Sequence, residues 1–292
     1  MEPATGSGVV GMQIELMAEG LGFTEGPVCL PDDRVALTSI SHGCVYIVDP
    51  RGGPLERIDT GGGPNGLACG TDGTLYVAQN GGVWGASGPA EPGVQVIRGT
   101  QVEYLVEGLG APNDLTFGPD GRLWITDTRG KFDMSAPGGG LPGHVYATDV
   151  GSGETQQIID DGPVFINGLG FDQGGSTLLV TATVSSELLS YAMTAPDYRP
   201  IGAPELLHTF VDGWPDGMAV STPGDYWVAL TGGDRIDVID AWGRCIGTVA
   251  LPAGSLPTNV CIGGRRYDEL FVTAAHDEAL VRIQLEGDGP PL

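Results

Sequence analysis

The chain has 292 residues and a formal net charge of −24, from 37 acidic and 13 basic side chains. A charge of this size repels phosphate backbones and anionic lipid surfaces, which excludes nucleic acid and membranes as expected partners. Gly 50 and Pro 22 together make 72 residues, but a hydrophobic content of 41% excludes a disordered chain. Turn residues this frequent between short apolar runs predict one all-β domain without long helices.

The start of the chain lacks the features of an export signal. Its first twenty residues have no basic start followed by an apolar core, and no apolar run in the chain approaches the roughly 18 residues that span a bilayer. The five cysteines cannot all pair with one another and lack the spacing of a zinc site, so we expect reduced, buried thiols. These features together predict a cytoplasmic protein.

A turn followed by an alternating strand recurs six times along the chain. The copies are PDDRVALTS, TDGTLYVAQ, PDGRLWITD, QGGSTLLVT, PGDYWVALT and RYDELFVTA. From Asp33 in the first copy to Asp268 in the last, the mean interval is 47 residues. Units of this length that contain only strands are typical of blades, whereas solenoid units of this length are helical. The repeat therefore predicts a six-bladed β-propeller.

The two ends of the chain are expected to meet in the last blade. After Asn259 the sequence supplies three strands, while residues 13–17 form a spare alternating segment near the start. Pairing of this segment with the last strand would remove an exposed sheet edge. We therefore predict a propeller over residues 12–286, a flexible segment over residues 1–11 and a C-terminal tail over residues 287–292.

A polar residue lies eight or nine positions before each repeated turn. The six residues are Glu25 in TEGP, Asn65 in GPNG, Asn113 in APND, Asn167 in FING, Asp216 in WPDG and Asn259 in LPTN. Equivalent positions on six radial units predict that all six side chains point to one end of the central channel. Buried polar groups need a partner, which here is water or a cation. Alternatively, these Asn and Asp residues serve the turns that Pro-Asn-Gly and Pro-Asp-Gly form.

The chemistry of this set favours a hard cation. All six side chains offer oxygen, and none is Cys or His, which favours calcium over magnesium and disfavours zinc and copper. Glu25 and Asp216 carry two negative charges that would neutralise one divalent ion. A carbonyl oxygen bound to that ion would be polarised toward attack by water.

The motifs TEGP, PNDLTFGPDGRLWITD, INGLGF, WPDGMAV and LPTNVCIGG occur in this order along the chain. In them the sequence resembles the regucalcin, gluconolactonase and senescence-marker family of six-bladed β-propellers, and more distantly diisopropylfluorophosphatase and paraoxonase. The resemblance implies a lactonase-type hydrolase with Ca²⁺, or another divalent ion such as Zn²⁺, Mn²⁺ or Mg²⁺, in its channel. It places the metal ligands at Glu25, Asn113, Asn167 and Asp216. Asn65 and Asn259 then become groups that hold water or substrate around the ion.

The sequence departs from the sugar-lactonase branch of that family at one position. There an Arg that holds sugar hydroxyls commonly precedes the Asn that aligns with Asn113, whereas Ala111 and Pro112 stand here. Aromatic residues lie in loops that could line the same mouth: Trp84, Phe165 and Trp214. The departure disfavours a strongly sugar-like substrate.

Asp216 is the predicted catalytic carboxylate, as general base or as nucleophile. Asp114, Asp127 and His42 are further candidates, although strand alternation would turn Asp114 away from the channel. The Gly-rich stretch over residues 128–143 is either a lid over the mouth or an excursion without function. No GxSxG motif is present, and no Cys lies in a nucleophile context, so serine-type hydrolysis is disfavoured.

Three functions are compatible with these residues. The first is a metal-dependent hydrolase that opens a lactone or related ester supplied as a small molecule. The second is a non-hydrolytic enzyme of the isomerase or cyclase type on the same scaffold. The third is a binding propeller without catalysis, in which calcium has a structural role. The sequence leaves the oligomeric state open.

Overall fold

The computed structural model describes residues 13–85, 87–131, 133, 136 and 139–285, and these residues form six four-stranded antiparallel sheets. The first strands of successive sheets contact one another around a ring, and the sixth contacts the first. This arrangement is the predicted six-bladed β-propeller. No helix within the described residues is long and apolar enough to cross a bilayer.

In blades I to V the strands follow one another in the chain from the channel outward, and in blade VI the outermost strand is β1. Blades I and II contain β2 (Thr24–Cys29), β3 (Val35–Ser39), β4 (Cys44–Val48), β5 (Glu56–Asp59), β6 (Pro64–Cys69), β7 (Leu75–Gln79), β8 (Gly93–Arg98) and β9 (Gln101–Glu107). Blades III and IV contain β10 (Pro112–Phe117), β11 (Leu123–Asp127), β12 (Pro142–Thr148), β13 (Thr155–Val164), β14 (Ile166–Phe171), β15 (Thr177–Ala182), β16 (Glu187–Ala192) and β17 (Glu205–Thr209). Blades V and VI contain β18 (Trp214–Val220), β19 (Tyr226–Thr231), β20 (Arg235–Ile239), β21 (Cys245–Ala250), β22 (Pro257–Gly263), β23 (Glu269–Ala274), β24 (Ala279–Gln284) and β1 (Ile14–Ala18).

The N-terminal strand completes the last blade, as predicted. β1 pairs antiparallel with β24, with Ile14 opposite Ile283 and Leu16 opposite Val281. This pairing closes the ring through backbone hydrogen bonds between the two ends of the propeller. The proposed N-terminal segment, residues 1–11, and the proposed tail, residues 287–292, lie outside the described residues.

The hydrophobic core lies between adjacent blades rather than within them. Trp124 and Val145 of blade III, for example, are fully buried and pack in one cluster with Ile166 and Leu178 of blade IV. Alternation along the strands sends apolar side chains to both faces of each sheet, so each blade buries two faces. Burying one such side chain contributes about 1.5–3 kcal/mol, which favours a closed ring over separate blades.

Threonine hydroxyls connect the second strand of one blade to the first strand of the next. Thr126 donates to the carbonyl oxygen of Asn167, and Thr181 donates to that of Asp216, each at 2.7 Å. Thr38 makes the same contact with the carbonyl oxygen of Asn65. These bonds fix the backbone at the residues whose side chains were predicted to face the channel.

Candidate active site

Five of the six predicted channel residues line one cavity of about 280 Å³ at the start of the inner strands: Glu25, Asn65, Asn113, Asn167 and Asp216. Four of them are at most 5% exposed, and Asp216 is partly buried. The remaining wall is apolar and comprises Phe23, Ile40, Trp84 and Phe165. Carboxylate and amide groups therefore meet in a pocket with one hydrophobic side.

A β-bulge turns these side chains toward the channel. In blade III, Pro112 pairs with Asp127 and Leu115 with Ile125, so that two residues oppose Thr126. The same shift occurs at the start of the first strands in blades II, IV and V. Bulges suspend the strict alternation of a strand and can aim a side chain into a site.

Close packing requires glycine immediately after the channel residue in several blades. A Cβ at Gly217 would lie 1.9 Å from Cγ of Asn259, and one at Gly66 would lie 2.4 Å from Oδ1 of Asp114. Both distances are far below van der Waals contact. The glycines therefore leave space for the side chains of Asp114 and Asn259 near the axis.

Asn259 and Asp114 differ from their predicted positions. In blade VI the bulge contains Thr258 and Asn259, so Thr258 takes the place that Asn113 has in blade III, and Asn259 corresponds to Asp114. Alternation wrongly predicted that Asp114 would turn away. Asn259 and Asp114 both line a second cavity of about 460 Å³, formed by the inner strands further along the channel. Alignment of the prolines in PNG, PND, PDG and PTN would have revealed this shift.

The carboxyl groups near the axis lack a counter-charge within the described residues. None of Glu25, Asp114 and Asp216 forms an ion pair with a described Lys, Arg or His. Burial, and then the charges of Asp216 and Asp114, raise the pKa of Glu25 well above its usual value. Burial raises the pKa of Asp216 to about 7 and that of Asp114 to about 6. The pocket therefore favours protonated carboxyl groups or a bound cation.

The hydrogen bonds of Asp216 fit a carboxyl group that can hold a proton. Thr231 Oγ1 lies 2.7 Å from both Asp216 Oδ2 and the carbonyl oxygen of Pro257. One hydroxyl has one hydrogen, so it can donate to one of these oxygens. If Asp216 is protonated, it donates to Thr231, which donates to Pro257. If Asp216 is ionised, the two oxygens compete for the Thr231 hydrogen.

The amide side chains offer oxygen to a ligand. Asn167 Nδ2 donates to Thr183 Oγ1 at 3.1 Å and also bonds Asp216, which leaves its oxygen for a ligand. Asn65 Oδ1 is buried without a hydrogen-bond partner in the described part of the chain. Among the described residues no group of three or more His, Cys, Asp or Glu side chains could hold a metal, so a metal here would need the amide oxygens. Two carboxylates with Asn oxygens fit a hard divalent cation.

Three other predicted residues lie away from this cavity's lining. Asp127 is fully buried, and its carboxylate accepts hydrogen bonds from the backbone N–H groups of Gly110, Ala111 and Arg129, each at 2.7 Å. His42 Nδ1 lies 2.9 Å from the hydroxyl of Tyr46. Trp214 is 46% exposed. Asp127 therefore fixes the chain that leads into β10. His42 and Trp214 do not line the cavity of Glu25 and Asp216.

A sequence model of the SMP-30/gluconolactonase/LRE-like region matches residues 23–276 of the chain. The chain belongs to this family. One relative is the "putative sugar lactone lactonase YvrE" of Bacillus subtilis. The chain is 31% identical to it over 123 residues, and the match covers 41% of each chain. The chain is 42% identical over 66 residues to regucalcin of Danio rerio, covering 22% of each chain. The chain thus aligns with less than half the length of these relatives.

A solved structure of similar fold is that of regucalcin from Agrobacterium tumefaciens, described as a calcium-binding protein. Its TM-score is 0.77 at 19% identity, with 96% of each chain covered. Likeness at this identity confirms the fold. Membership of the SMP-30/gluconolactonase/LRE-like family confirms the resemblance predicted from the motifs.

Sequence reasoning missed several residues of the pocket. Phe23 and Ile40 line its apolar side, and Thr231 contacts Asp216. Trp84 and Phe165, which were predicted at the mouth, pack edge to face with ring centroids 5.0 Å apart. Thr231 is the last residue of the fifth repeated phrase, and Ile40 directly follows the first, so the ends of the repeated strands would have pointed to both. The Gly-rich stretch over residues 128–143, interpreted as either a lid or an excursion without function, lies partly outside the described residues.

Proposed function

We propose that the chain is a divalent-metal-dependent hydrolase that opens a lactone or related ester. The observation that carries this proposal is the convergence of Glu25, Asp216 and three Asn side chains in one pocket without a counter-charge from the described residues. Membership of a family named for gluconolactonase supports lactone chemistry. A sugar lactone lactonase name among its relatives points the same way.

Glu25, Asn113, Asn167 and Asp216 would hold the metal. Their donor atoms are all oxygens, which favours Ca²⁺, with Mg²⁺, Mn²⁺ and Zn²⁺ as alternatives to be tested. When bound, such a cation would polarise the substrate carbonyl and stabilise the negative charge that develops on its oxygen. Asn65 would hold water or a substrate oxygen through its unpartnered Oδ1.

Asp216 would act as general base or nucleophile. It is the carboxylate of the pocket whose partial exposure leaves room for water or substrate, and Thr231 orients its Oδ2. As base, Asp216 would accept a proton from the attacking water. As nucleophile, it would attack the lactone carbonyl carbon, and the ring C–O bond would break with release of an alkoxide that takes a proton. The resulting mixed anhydride with Asp216 would then be hydrolysed by water. Incorporation of ¹⁸O from labelled water into the Asp216 carboxylate during a single turnover would identify Asp216 as the nucleophile.

The apolar side of the pocket favours a lactone with a hydrophobic substituent. Trp84 and Phe165 pack at right angles there beside Phe23 and Ile40. Such a surface gains free energy from burying alkyl or aryl groups and offers sugar hydroxyls no charged partner. Ala111, two residues before Asn113, is fully buried, and its methyl group cannot form hydrogen bonds with the hydroxyls of a polyol.

Acid release from aliphatic, aromatic and sugar lactones tests the proposal. Each lactone is offered to chelated protein and to the same protein after Ca²⁺ is returned, with Glu205→Gln, an exposed carboxylate variant, as control. The proposal expects metal-dependent acid release, fastest with hydrophobic lactones. A product mass without added water would instead indicate an isomerase or cyclase. Stabilisation by Ca²⁺ without turnover of any lactone would indicate a binding propeller.

A further inference from the structure

Two cysteines from opposite ends of the sequence meet near the far end of the channel. Cys29 is the last residue of β2 in blade I, and Cys261 lies in β22 of blade VI. Their sulfur atoms are 3.7 Å apart, although 232 residues separate them in sequence. The expectation of buried thiols is confirmed for Cys44. It is wrong for Cys245, which is exposed, and Cys29, Cys69 and Cys261 are partly exposed.

The thiol pair opens onto a cavity of about 440 Å³ that is separate from the proposed active site. Glu25 and Cys29 lie near opposite ends of β2, and four residues of strand span about 13 Å. Cys69, at the end of β6 in blade II, lines the same cavity. A small reagent can therefore reach the pair without entering the candidate active site.

The surrounding backbone leaves space around Cys29. A Cβ at Gly263 would lie 2.0 Å from the Cys29 sulfur, so any other residue there would displace it. Either sulfur of the pair can donate the hydrogen bond between them. The bond with Cys261, and then that with the backbone of Gly264, lower the pKa of Cys29. The bond with Cys29, followed by burial, raises the pKa of Cys261 well above its usual value. Cys29 is thus the partner suited to form the thiolate.

We propose that Cys29 and Cys261 are a redox-active pair that forms a reversible disulfide between the first and last blades when a peroxide reaches this cavity. The sulfurs must approach by about 1.7 Å to reach the S–S bonding distance of about 2.0 Å. The covalent link between blades I and VI is the chain that leads from β1 into β2, and β1 is held in blade VI by its pairing with β24. Hydrogen bonds such as that from Thr258 Oγ1 to the carbonyl oxygen of Thr24 also connect the two blades. The disulfide would join the two inner strands directly.

The reaction balances with one peroxide. The Cys29 thiolate attacks one oxygen of hydrogen peroxide, the O–O bond breaks, and the hydroxide released takes a proton to become water. The Cys261 sulfur then attacks the sulfur of the Cys29 sulfenic acid, and the S–O bond breaks. Hydroxide leaves with the Cys261 proton as a second water. Two thiols are oxidised, and one peroxide is reduced.

Peptide mapping of the full-length protein tests the pair. Reduced protein is treated with hydrogen peroxide, digested without reductant and analysed by mass spectrometry before and after dithiothreitol. We expect a reducible peptide linking Cys29 and Cys261, and a melting temperature about 5 °C or more higher than that of the reduced protein. Cys29→Ser and Cys261→Ser should each lose both effects.

Two variants serve as matched controls. Burial raises the pKa of Cys69 to about 11, so Cys69→Ser should retain the linked peptide and the shift in melting temperature. Cys245→Ser removes the exposed thiol, which could otherwise link two molecules. Loss of thiols without a peptide joining Cys29 and Cys261, or a linked peptide that disappears in Cys69→Ser, would overturn the proposal.

Discussion

Asn259 Nδ2 donates a hydrogen bond to Asp114 Oδ2 at 3.3 Å, although the two residues are 145 positions apart. Each side chain also accepts a hydrogen bond at 2.8 Å from the N–H of the following residue. The two side chains therefore have the same local conformation on blades III and VI. Neither lines the cavity of Glu25 and Asp216, and both line the next cavity along the channel.

Exchange of the two side chains should preserve this bond, whereas either single change should break it. Asp114→Asn places two amide nitrogens face to face, and Asn259→Asp places two carboxylates there. The double variant restores one donor and one acceptor with the original charge. We expect a coupling free energy of about 1–3 kcal/mol in a double-mutant cycle measured by urea unfolding in EDTA. Additive effects would show that the bond contributes nothing to stability.

Asp216 and Glu25 should differ in their effect on turnover. Asp216→Asn removes the proposed base or nucleophile and should lower kcat for a hydrolysed lactone by about 100-fold or more. Glu25→Gln removes one charge from the proposed metal site and should mainly raise the Ca²⁺ concentration needed for half-maximal activity. Kinetics across a calcium titration separate the two effects. Similar kcat in wild type and Asp216→Asn would remove Asp216 from the mechanism.

The metal-free protein should lose stability as the pH rises from about 4 to 7. Burial raises the pKa of Asp216 to about 7 and that of Asp114 to about 6, so the folded state binds protons more tightly than the unfolded state. Stability is therefore highest below the unfolded pKa and is lost as the pH passes the folded pKa. Melting temperatures measured in EDTA should fall across this window.

Two controls accompany this pH series. Asp216→Asn removes one of the titrating groups and should flatten the fall. Added Ca²⁺ should compensate the carboxylate charge and raise the melting temperature most at pH 7, if the proposed site binds it. A melting temperature that stays constant or rises from pH 4 to 7 in EDTA would contradict the raised pKa values.

Trp84 should control the preference for hydrophobic lactones. Trp84→Ala removes the partner of Phe165 and should raise KM for an aromatic lactone about tenfold, the equivalent of 1.4 kcal/mol. Trp84→Phe retains an aromatic surface and should have a smaller effect on KM. It also removes Nε1, which is buried without a partner in the described part of the chain. If KM for the aromatic lactone equals that for a sugar lactone in the wild type, and Trp84→Ala changes neither value, the pocket has no hydrophobic subsite.

The blade count could be predicted from sequence because each blade repeats the same turn and strand within 292 residues. The positions of Glu25, Asn65, Asn113, Asn167 and Asp216 followed from that repeat. Asn259 did not, because its bulge begins at Thr258 and shifts the register by one residue. Contacts such as that between Asn259 and Asp114 depend on blades that meet across the channel, so the local sequence pattern does not contain them.

Blade II lacks a connection that other blades have. Ala78 occupies the position of Thr38, Thr126 and Thr181, whose hydroxyls donate to the channel residue of the following blade. The equivalent acceptor for blade II is the carbonyl oxygen of Asn113. Ala78→Thr should supply this bond, while Ala78→Val adds a group of nearly the same shape without a donor.

Ala78 is fully buried, so both substitutions add volume to a packed site and could each destabilise the fold. The difference between them isolates the hydroxyl. We expect Ala78→Thr to exceed Ala78→Val by about 1 kcal/mol in free energy of unfolding, measured by urea denaturation. A valine variant as stable as the threonine variant would mean that the hydroxyl finds no acceptor in blade III.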